Sequence, residues 1–559
     1  MAAIKGLQQQ DQILNLGSYR SAVEKRLKTW ENIEFSRRLW IKDPTLWGAK
    51  PQPEITDRMG WLELFEPMHD QLRSMMEFAE SVKNEGLDQV VLLGMGGSSL
   101  APEVFQRTFG NSLEYPELVL LDSTHPDTVR SLETRIDLSK TLFLISSKSG
   151  TTTETLSFLN YFWNRTKDKI MNPGLHFAAI TDPGTPLLRM AQERGFRKVF
   201  QGPLDVGGRY SALTLFGLVP ASLIGADAHL LLDRGWDMAG ASASYLPETE
   251  NACLALGAAL GELALAGRDK VTFFMTPTLS AFPFWLEQLI AESTGKNGKG
   301  IVPVVDEPIE QPWVYRKDRA FVCYTLYSEN NQELNSSVKQ LEDAGHPVIH
   351  ITLKDKYDLG QEMFRWEMAV AAAGAVMGVN PFDQPDVQLA KDLARQAMEQ
   401  PASKGGKQER VDPDVVALQS TALVTKALDS LLADARLGDY VAIQAFLAPR
   451  PEIAEALQEF RLAIRDRLKL ATSVGWGPRF LHSTGQLHKG GPNTCVIIQL
   501  VDEPAKDLPV PDTNYTFGAL IHAQALGEYR ALKQRGRRLL RIQLGHDAVM
   551  GAAKLIELL

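Results

Sequence analysis

Hydrophobic positions along the chain fall into two kinds of pattern. Before residue 80, "YRSAVEKRLKTW" and "LELFEPMHDQLRSMMEFAESVK" carry apolar residues at helical spacing, separated by the proline-containing "GAKPQPEITD". Residues 1–80 are therefore expected to form a helical region. Beyond it, the short apolar runs "VVLLGM", "LVLLDS", "TLFLIS", "FAAITD" and "KVFQGP" alternate with helical patterns. Buried runs of this kind between helices predict a parallel sheet with crossover helices. A second series, "KVTFFMTP", "FVCYTLY", "PVIHITL", "TCVIIQLV" and "LLRIQLG", predicts another sheet of about five strands. The polar "PASKGGKQERVDPD" at 401–414 predicts an exposed loop. Helical sequence follows it to about residue 470, so 401–470 is expected to be an insertion in the second unit. The fold class expected is α/β.

Composition narrows the function. The 559 residues hold 44% hydrophobic and 23% charged side chains, the balance of an ordinary globular chain. Lys and Arg number 59 against 68 Asp and Glu, a net charge of −9. That balance does not favour nucleic acid or an anionic membrane surface, so an anionic ligand requires a local site. Cys253, Cys323 and Cys495 stand far apart with no CxxC spacing. They predict neither a disulfide framework nor a zinc cluster and fit a reducing, cytoplasmic setting. The polar start "MAAIKGLQQQDQ" is unlike a secretory signal, and "MAVAAAGAVMGV" is too short to span a bilayer.

Candidate chemistry sits in the turns. "GGSSLAPEVF" follows "VVLLGM", and "SKSGTTTETLSF" follows "TLFLIS". Both are strand-to-helix turns, where small residues let a helix N-terminus offer free N–H groups to an anion. The second turn adds the hydroxyls of Ser147, Ser149, Thr151, Thr152 and Thr153 and the cation Lys148. Helix capping explains one or two such hydroxyls, not five, so a phosphate or phosphosugar is the expected ligand. A dinucleotide fingerprint would need its third glycine at Ser99.

The stretch "FPFWLEQLIAESTGKNGKGIVPV" at 282–304 opens as an amphipathic helix with Phe284, Trp285, Leu289 and Ile290 at helical spacing and then turns glycine-rich. Gln288 and Glu292 fall near its C-terminal end, where the dipole disfavours a carboxylate. A partly desolvated carboxylate there would be a stronger base, as proton abstraction requires. The bland alternative is an i,i+4 ion pair of Glu292 with Lys296. Arg209, after a double glycine, is either a structural partner of Asp205 or a fixed cation for an oxyanion. Lys391 has a solvated helix face as its plain reading. His482 and His488 lie six residues apart, a spacing that suits no one-face metal pair.

Taken together, "GMGGSSLAPE", "SSKSGTTTET", "GGRYSALTLFG", "EQLIAESTGKNGKG", "GVNPFDQPDVQLAK" and "LHSTGQLHKGG" resemble the glucose-6-phosphate isomerase family of the SIS superfamily. The likeness is strongest to the isomerase half of transaldolase/isomerase fusions. The resemblance implies two SIS-type three-layer α/β/α units, a first at 81–235 with the phosphate loop and a second at 236–559. It implies aldose–ketose isomerisation through a cis-enediolate without cofactor or metal. By position, Ser147, Lys148, Ser149 and Thr152 match the phosphate loop, and Gly97 and Ser98 lie against the sugar. Arg209 matches the enediolate-neutralising arginine, Gln288 a substrate-binding glutamine and Glu292 the base. His482 matches the ring-opening histidine and Lys391 the lysine near the ring oxygen.

The resemblance also implies a homodimer, because family members often borrow the histidine from a neighbour. Here the lysine block precedes the histidine block, the reverse of the family's common order, and no transaldolase portion is evident. Other readings consistent with the motifs are a non-catalytic sugar-phosphate-binding module and an isomerase of another phosphosugar, such as mannose 6-phosphate. The partner expected in each case is a small sugar phosphate.

Overall fold

The computed structural model describes residues 5–7, 11–48, 54–399 and 414–559. Strand β1 (Gln12–Asn15) precedes the helices Arg20–Asn32, Phe35–Trp40 and Phe65–Asn84. The next five strands are β2 (Gln89–Gly94), β3 (Glu117–Leu121), β4 (Thr141–Ser146), β5 (Phe177–Thr181) and β6 (Lys198–Gln201). They form an all-parallel sheet in the order β3-β2-β4-β5-β6. Gly94 of β2 lies opposite Ser146 of β4, so the glycine turn and the hydroxyl turn leave the sheet side by side. The "VVLL" and "LFLI" segments are buried throughout because helices cover both faces.

A second sheet combines β7 (Lys270–Met275), β8 (Val302–Val304), β9 (Arg319–Leu326) and β10 (Val348–Leu353) with β1. Its order is β1-β10-β9-β7-β8, parallel except for antiparallel β1. A third contains β11 (Val415–Ala417), β12 (Tyr440–Phe446), β13 (Ala471–Trp476), β14 (Cys495–Val501) and β15 (Arg538–Gln543), all parallel in the order β11-β15-β14-β12-β13.

Mainly parallel five-stranded sheets within helices bear out the α/β reading. Their number departs from it, because the strands expected in one second sheet divide between two. The reason is visible in β12 and β13, which lie where 401–470 was expected to be helical or just after it. Strand β12, "YVAIQAF", is fully buried yet carries Gln444, which bonds Gln499 of β14 and the ring of His488. Strand β13, "ATSVGW", is built from small residues and contains Gly475. Strand β13 lacks the apolar density that marks β2 or β4, whereas β12 has that density but lies between two helical stretches. Helices Thr421–Ala433 and Pro451–Leu468 flank β12 as the helical pattern predicts. The expected loop at 401–414 lies, but for Asp414, outside the described residues.

One face of the third sheet, with Tyr440, Ala442 and Ile497, packs on Ala291 and on Val302 and Val304 of β8. The other face buries Val441, Ile443, Val496 and Ile498 beneath Leu457, Phe460 and Ile464. Through this packing the third sheet seats itself against the helix that carries Glu292.

Candidate active site

Helix Phe282–Thr294 has Pro283 in its first turn and is buried on nearly every side. Gly295 follows because a side chain there would come within 2.5 Å of the Leu487 backbone. Lys296 turns inward, 2.7 Å from Asp383 and bonded to the Asn380 carbonyl. The surface pair with Glu292 is therefore not made. Burial and then repulsion by Arg209 push the Lys296 amine down to about 7, while Asp383 pulls the other way.

Glu292 is partly buried, its side chain 12% exposed, with its carboxylate 3.6 Å from Arg209. Arg209 is buried and donates from Nε to Ser293 (2.9 Å), from Nη1 to Gln384 (2.9 Å), and from Nη2 to the carbonyls of Pro381 (2.7 Å) and Asp383 (2.9 Å). Asp205 is not among these partners. Neutral dipoles thus hold the guanidinium in place and leave its positive charge facing one carboxylate. Gln288, also buried, donates to Glu292 (3.1 Å) and to the His482 carbonyl (2.8 Å). Its own side-chain oxygen is buried with no hydrogen-bond donor. An acceptor in that condition suits a ligand hydroxyl.

The glycine turn closes against this group. Gly96 has φ +56°, and a Cβ there would sit 2.9 Å from the Gln288 amide and 3.0 Å from the His482 carbonyl. At Gly97 a Cβ would fall 2.0 Å from the Gly208 carbonyl, so the turn after β2 rests directly on the turn that presents Arg209. Ser98 is buried beside them.

On the far side of Gln288, the His482 ring nitrogen Nε2 lies 3.0 Å from Glu154, which also accepts from Gln524 at 2.7 Å. Gln524 in turn accepts from Thr124. Burial alone would raise the Glu154 carboxyl, but attraction and a hydrogen bond from His482, a backbone N–H and the charge of Lys391 outweigh it and hold the group below its usual range. Ser149, Thr151, Thr152, Thr153, Glu154, Lys391 and His482 line one cavity of about 290 Å³. Thr152 also pairs with Ser147 at 3.0 Å. Lys148 points away from that cavity, 2.6 Å from Asp182 and 2.7 Å from the Pro203 carbonyl. His488 is enclosed in the third sheet, where burial, then Lys489 and Arg537, push its ring down to about 3.

The residues that sequence reasoning missed are Glu154, Gln524, Ser293 and Gln384. Glu154 had a signal, a carboxylate in the first turn of the helix after the hydroxyl loop, but dipole stabilisation alone is enough to explain an acid there. The other three had none, because they are supporting partners brought in by the fold.

Parallel sheets with a hydroxyl loop at one strand end and acid–base side chains beside it define an α/β enzyme for a small, anionic, hydroxyl-bearing substrate. The phosphoglucose isomerase family model matches residues 48–305. A glucose-6-phosphate isomerase of Thermus thermophilus is 30% identical over 383 residues, covering 61% of this chain and 90% of the relative. The chain belongs to the phosphoglucose isomerase family. Among solved structures, a hypothetical protein, also from Thermus thermophilus, superposes with a TM-score of 0.59 at 26% identity, over 69% of this chain and 100% of that one. A glucose-6-phosphate isomerase from Chlamydia trachomatis shares the fold with a TM-score of 0.51 at 19% identity, over 65% of this chain and 77% of that one.

The Glu154–His482 pair has a pH signature. The folded-state pKa of Glu154 lies below the ordinary 4.5, so its contribution to stability is present above that value and is lost as pH falls through the folded one. Glu154→Gln is expected to flatten the loss of thermal stability between about pH 5 and pH 3. Calorimetry across that range checks it, and an acid limb identical to wild type would show that the pair contributes nothing.

Proposed function

We propose that this chain interconverts glucose 6-phosphate and fructose 6-phosphate, with Glu292 carrying the proton between C2 and C1. The observation that supports it most is Glu292 beside buried Arg209, tied through Gln288 to the same turn that carries His482. A module that only bound sugar phosphate would need the hydroxyl loop but not this acid–base arrangement.

In this reading the phosphate is held by Ser149 and Thr152 at the N-terminus of helix Thr153–Lys167, with its free N–H groups. Lys391 supplies the cation at the cavity wall. Lys148, already paired with Asp182, stabilises the loop from behind. His482, oriented by Glu154, and Lys391 move protons at the anomeric hydroxyl and ring oxygen to open the sugar. Glu292 then takes the C2 proton, the C2–H electron pair becomes the C1–C2 double bond, and the C1 carbonyl oxygen gains negative charge. Arg209 stabilises that oxyanion without changing its own protonation. Glu292 returns the proton to C1 while the O2 hydroxyl proton passes to O1, so that C2–O becomes the carbonyl and the aldose–ketose exchange is complete. The sugar hydroxyl nearest Gln288 donates to its unpaired oxygen.

The described residues contain no helix long and apolar enough to cross a membrane, and the three free cysteines are buried. Both are compatible with action in the cytoplasm.

Incubation with fructose 6-phosphate, without added metal or nucleotide, is expected to yield glucose 6-phosphate; folded protein with no turnover would refute the assignment. Glu292→Gln is expected to keep substrate affinity while kcat falls by roughly 10²–10⁴-fold. Exchange of solvent deuterium into substrate should fall in parallel, and a variant with near-normal exchange would take Glu292 out of the mechanism.

Thr152→Ala is expected to act mainly on KM. Loss of one hydrogen bond to a charged group costs on the order of 1.5–3 kcal/mol, about a 10- to 150-fold rise. Steady-state kinetics decides, and an effect confined to kcat would place the phosphate elsewhere.

In this reading the site is completed within one polypeptide, supported by the bonds of His482 to Glu154 and Gln288 of the same chain. Specific activity is expected to stay constant on dilution through any dimer–monomer transition followed by light scattering. Activity that disappears with the dimer would mean that a neighbour contributes a group.

A further inference from the structure

We propose that His69, His229 and Asp233 form a binding site for a divalent transition-metal ion of the zinc class, separate from the catalytic cavity. His69 is in helix Phe65–Asn84, and His229 and Asp233 stand one turn apart at the start of helix Ala228–Gly240. The His69 Nε2 atom lies 3.1 Å from one Asp233 oxygen, and His229 Nδ1 lies 2.9 Å from the other. One donor atom from each residue falls within 4.8 Å of the other two. Donors around a tetrahedral zinc ion are about 3.3 Å apart, given bonds of roughly 2.0–2.1 Å. The two short contacts use different oxygens of Asp233, so side-chain rotation must draw the three donors, already within 4.8 Å of one another, in to that spacing.

The ring of His69 is pre-set. It packs 5.1 Å from Trp236, which stacks on Phe65, and meets His229 edge-on at 5.2 Å. Its Nε2 atom is buried and makes no well-aligned hydrogen bond, despite the carboxylate beside it. An ion pair alone would be expected to align that donor with its acceptor. A shared cation instead asks both to point their lone pairs at a common centre. Two imidazoles and a carboxylate suit zinc, cobalt or nickel better than calcium or magnesium, which prefer oxygen. Arg73, the nearest cation on the same groove, is drawn off by Glu77 at 2.7 Å. The groove of about 710 Å³ beside His69 and His229 leaves room for water at a remaining position.

Such an ion would clip helix Phe65–Asn84 to helix Ala228–Gly240 and act on stability rather than on turnover. Full-length protein, freed of metal by a chelator, is titrated with Zn²⁺ by calorimetry at neutral pH and with Co²⁺ by visible absorption. One equivalent should bind, Co²⁺ should give the intense visible band of a four-coordinate site, and Zn²⁺ should raise the melting temperature. His69→Ala, His229→Ala and Asp233→Ala should each weaken binding by at least about 100-fold, since loss of merely supporting groups costs roughly 10- to 100-fold. Isomerisation should be unchanged in all three. Because these side chains are partly exposed, far-UV circular dichroism should show each variant folded. Absence of stoichiometric binding, or binding unaffected by His69→Ala, would overturn the site. An unchanged melting temperature in the metal-loaded protein would overturn the clip.

Discussion

The buried guanidinium of Arg209 is the constraint on which the rest of the site depends. A cation with 3% of its side chain exposed has lost nearly all its water, and the fold must return those hydrogen bonds from fixed groups. It does so from three directions: Ser293 in the Glu292 helix, the carbonyls of Pro381 and Asp383, and the Gln384 side chain in the "NPFDQP" loop. Lys296 secures the same loop through Asn380 and Asp383. The turn after β6, the second sheet and the segment leading to Lys391 are thereby held in register. Glu292 stands against this node as the carboxylate that neutralises it. In the proposed reaction this carboxylate is both the counter-charge of Arg209 and the base, with its geometry set by the fold.

His482 is positioned by a second set of contacts, which are largely ionic. Its turn is fastened to the first sheet by Arg479, which pairs with Glu103 and lies 3.2 Å from Asp122. Burial raises the Asp122 carboxyl and Arg479 opposes it. The neighbouring Glu287 is pushed up to about 7 by burial, against the pull of Arg479 and a bond from Ser483. With several acids sharing one arginine, this interface tolerates few rearrangements, because any movement of Arg479 would leave buried carboxylates without a counter-charge. Gln288 reads the outcome: only with the turn in place does the His482 carbonyl reach its amide.

What the sequence makes legible follows from how local each signal is. The turns after β2 and β4 and the helix of Glu292 are continuous stretches whose spacing displays their role, and the structure brings them together. Lys148 looked like part of the anion cradle because its neighbours are hydroxyls, yet its partner Asp182 lies 34 residues on, at the end of the adjacent strand. Only strand order reveals that. Glu154 was hidden by a sufficient local explanation, and Gln524 and Gln384 by the absence of any. Of the third sheet, β14 and β15 are legible as apolar runs, but β12 lies inside a stretch of helical pattern and β13 is rich in small residues, so only tertiary packing separates this sheet from the second.

The family match ends at residue 305, so Arg209, Gln288 and Glu292 fall inside it while Lys391 and His482 lie beyond. That boundary passes between the residues proposed for proton transfer at carbon and those proposed for ring opening. Despite the reversed order of the lysine and histidine blocks, His482 reaches Gln288 through its carbonyl and shares a cavity with Lys391. Connectivity constrains where a side chain enters the site, but hydrogen bonding decides whether it can stay. His482 meets Glu154 from the first sheet with its ring and Gln288 from the second with its backbone. A turn held at both its backbone and its side chain by two different sheets has one workable position, whatever the order in which the chain reaches it.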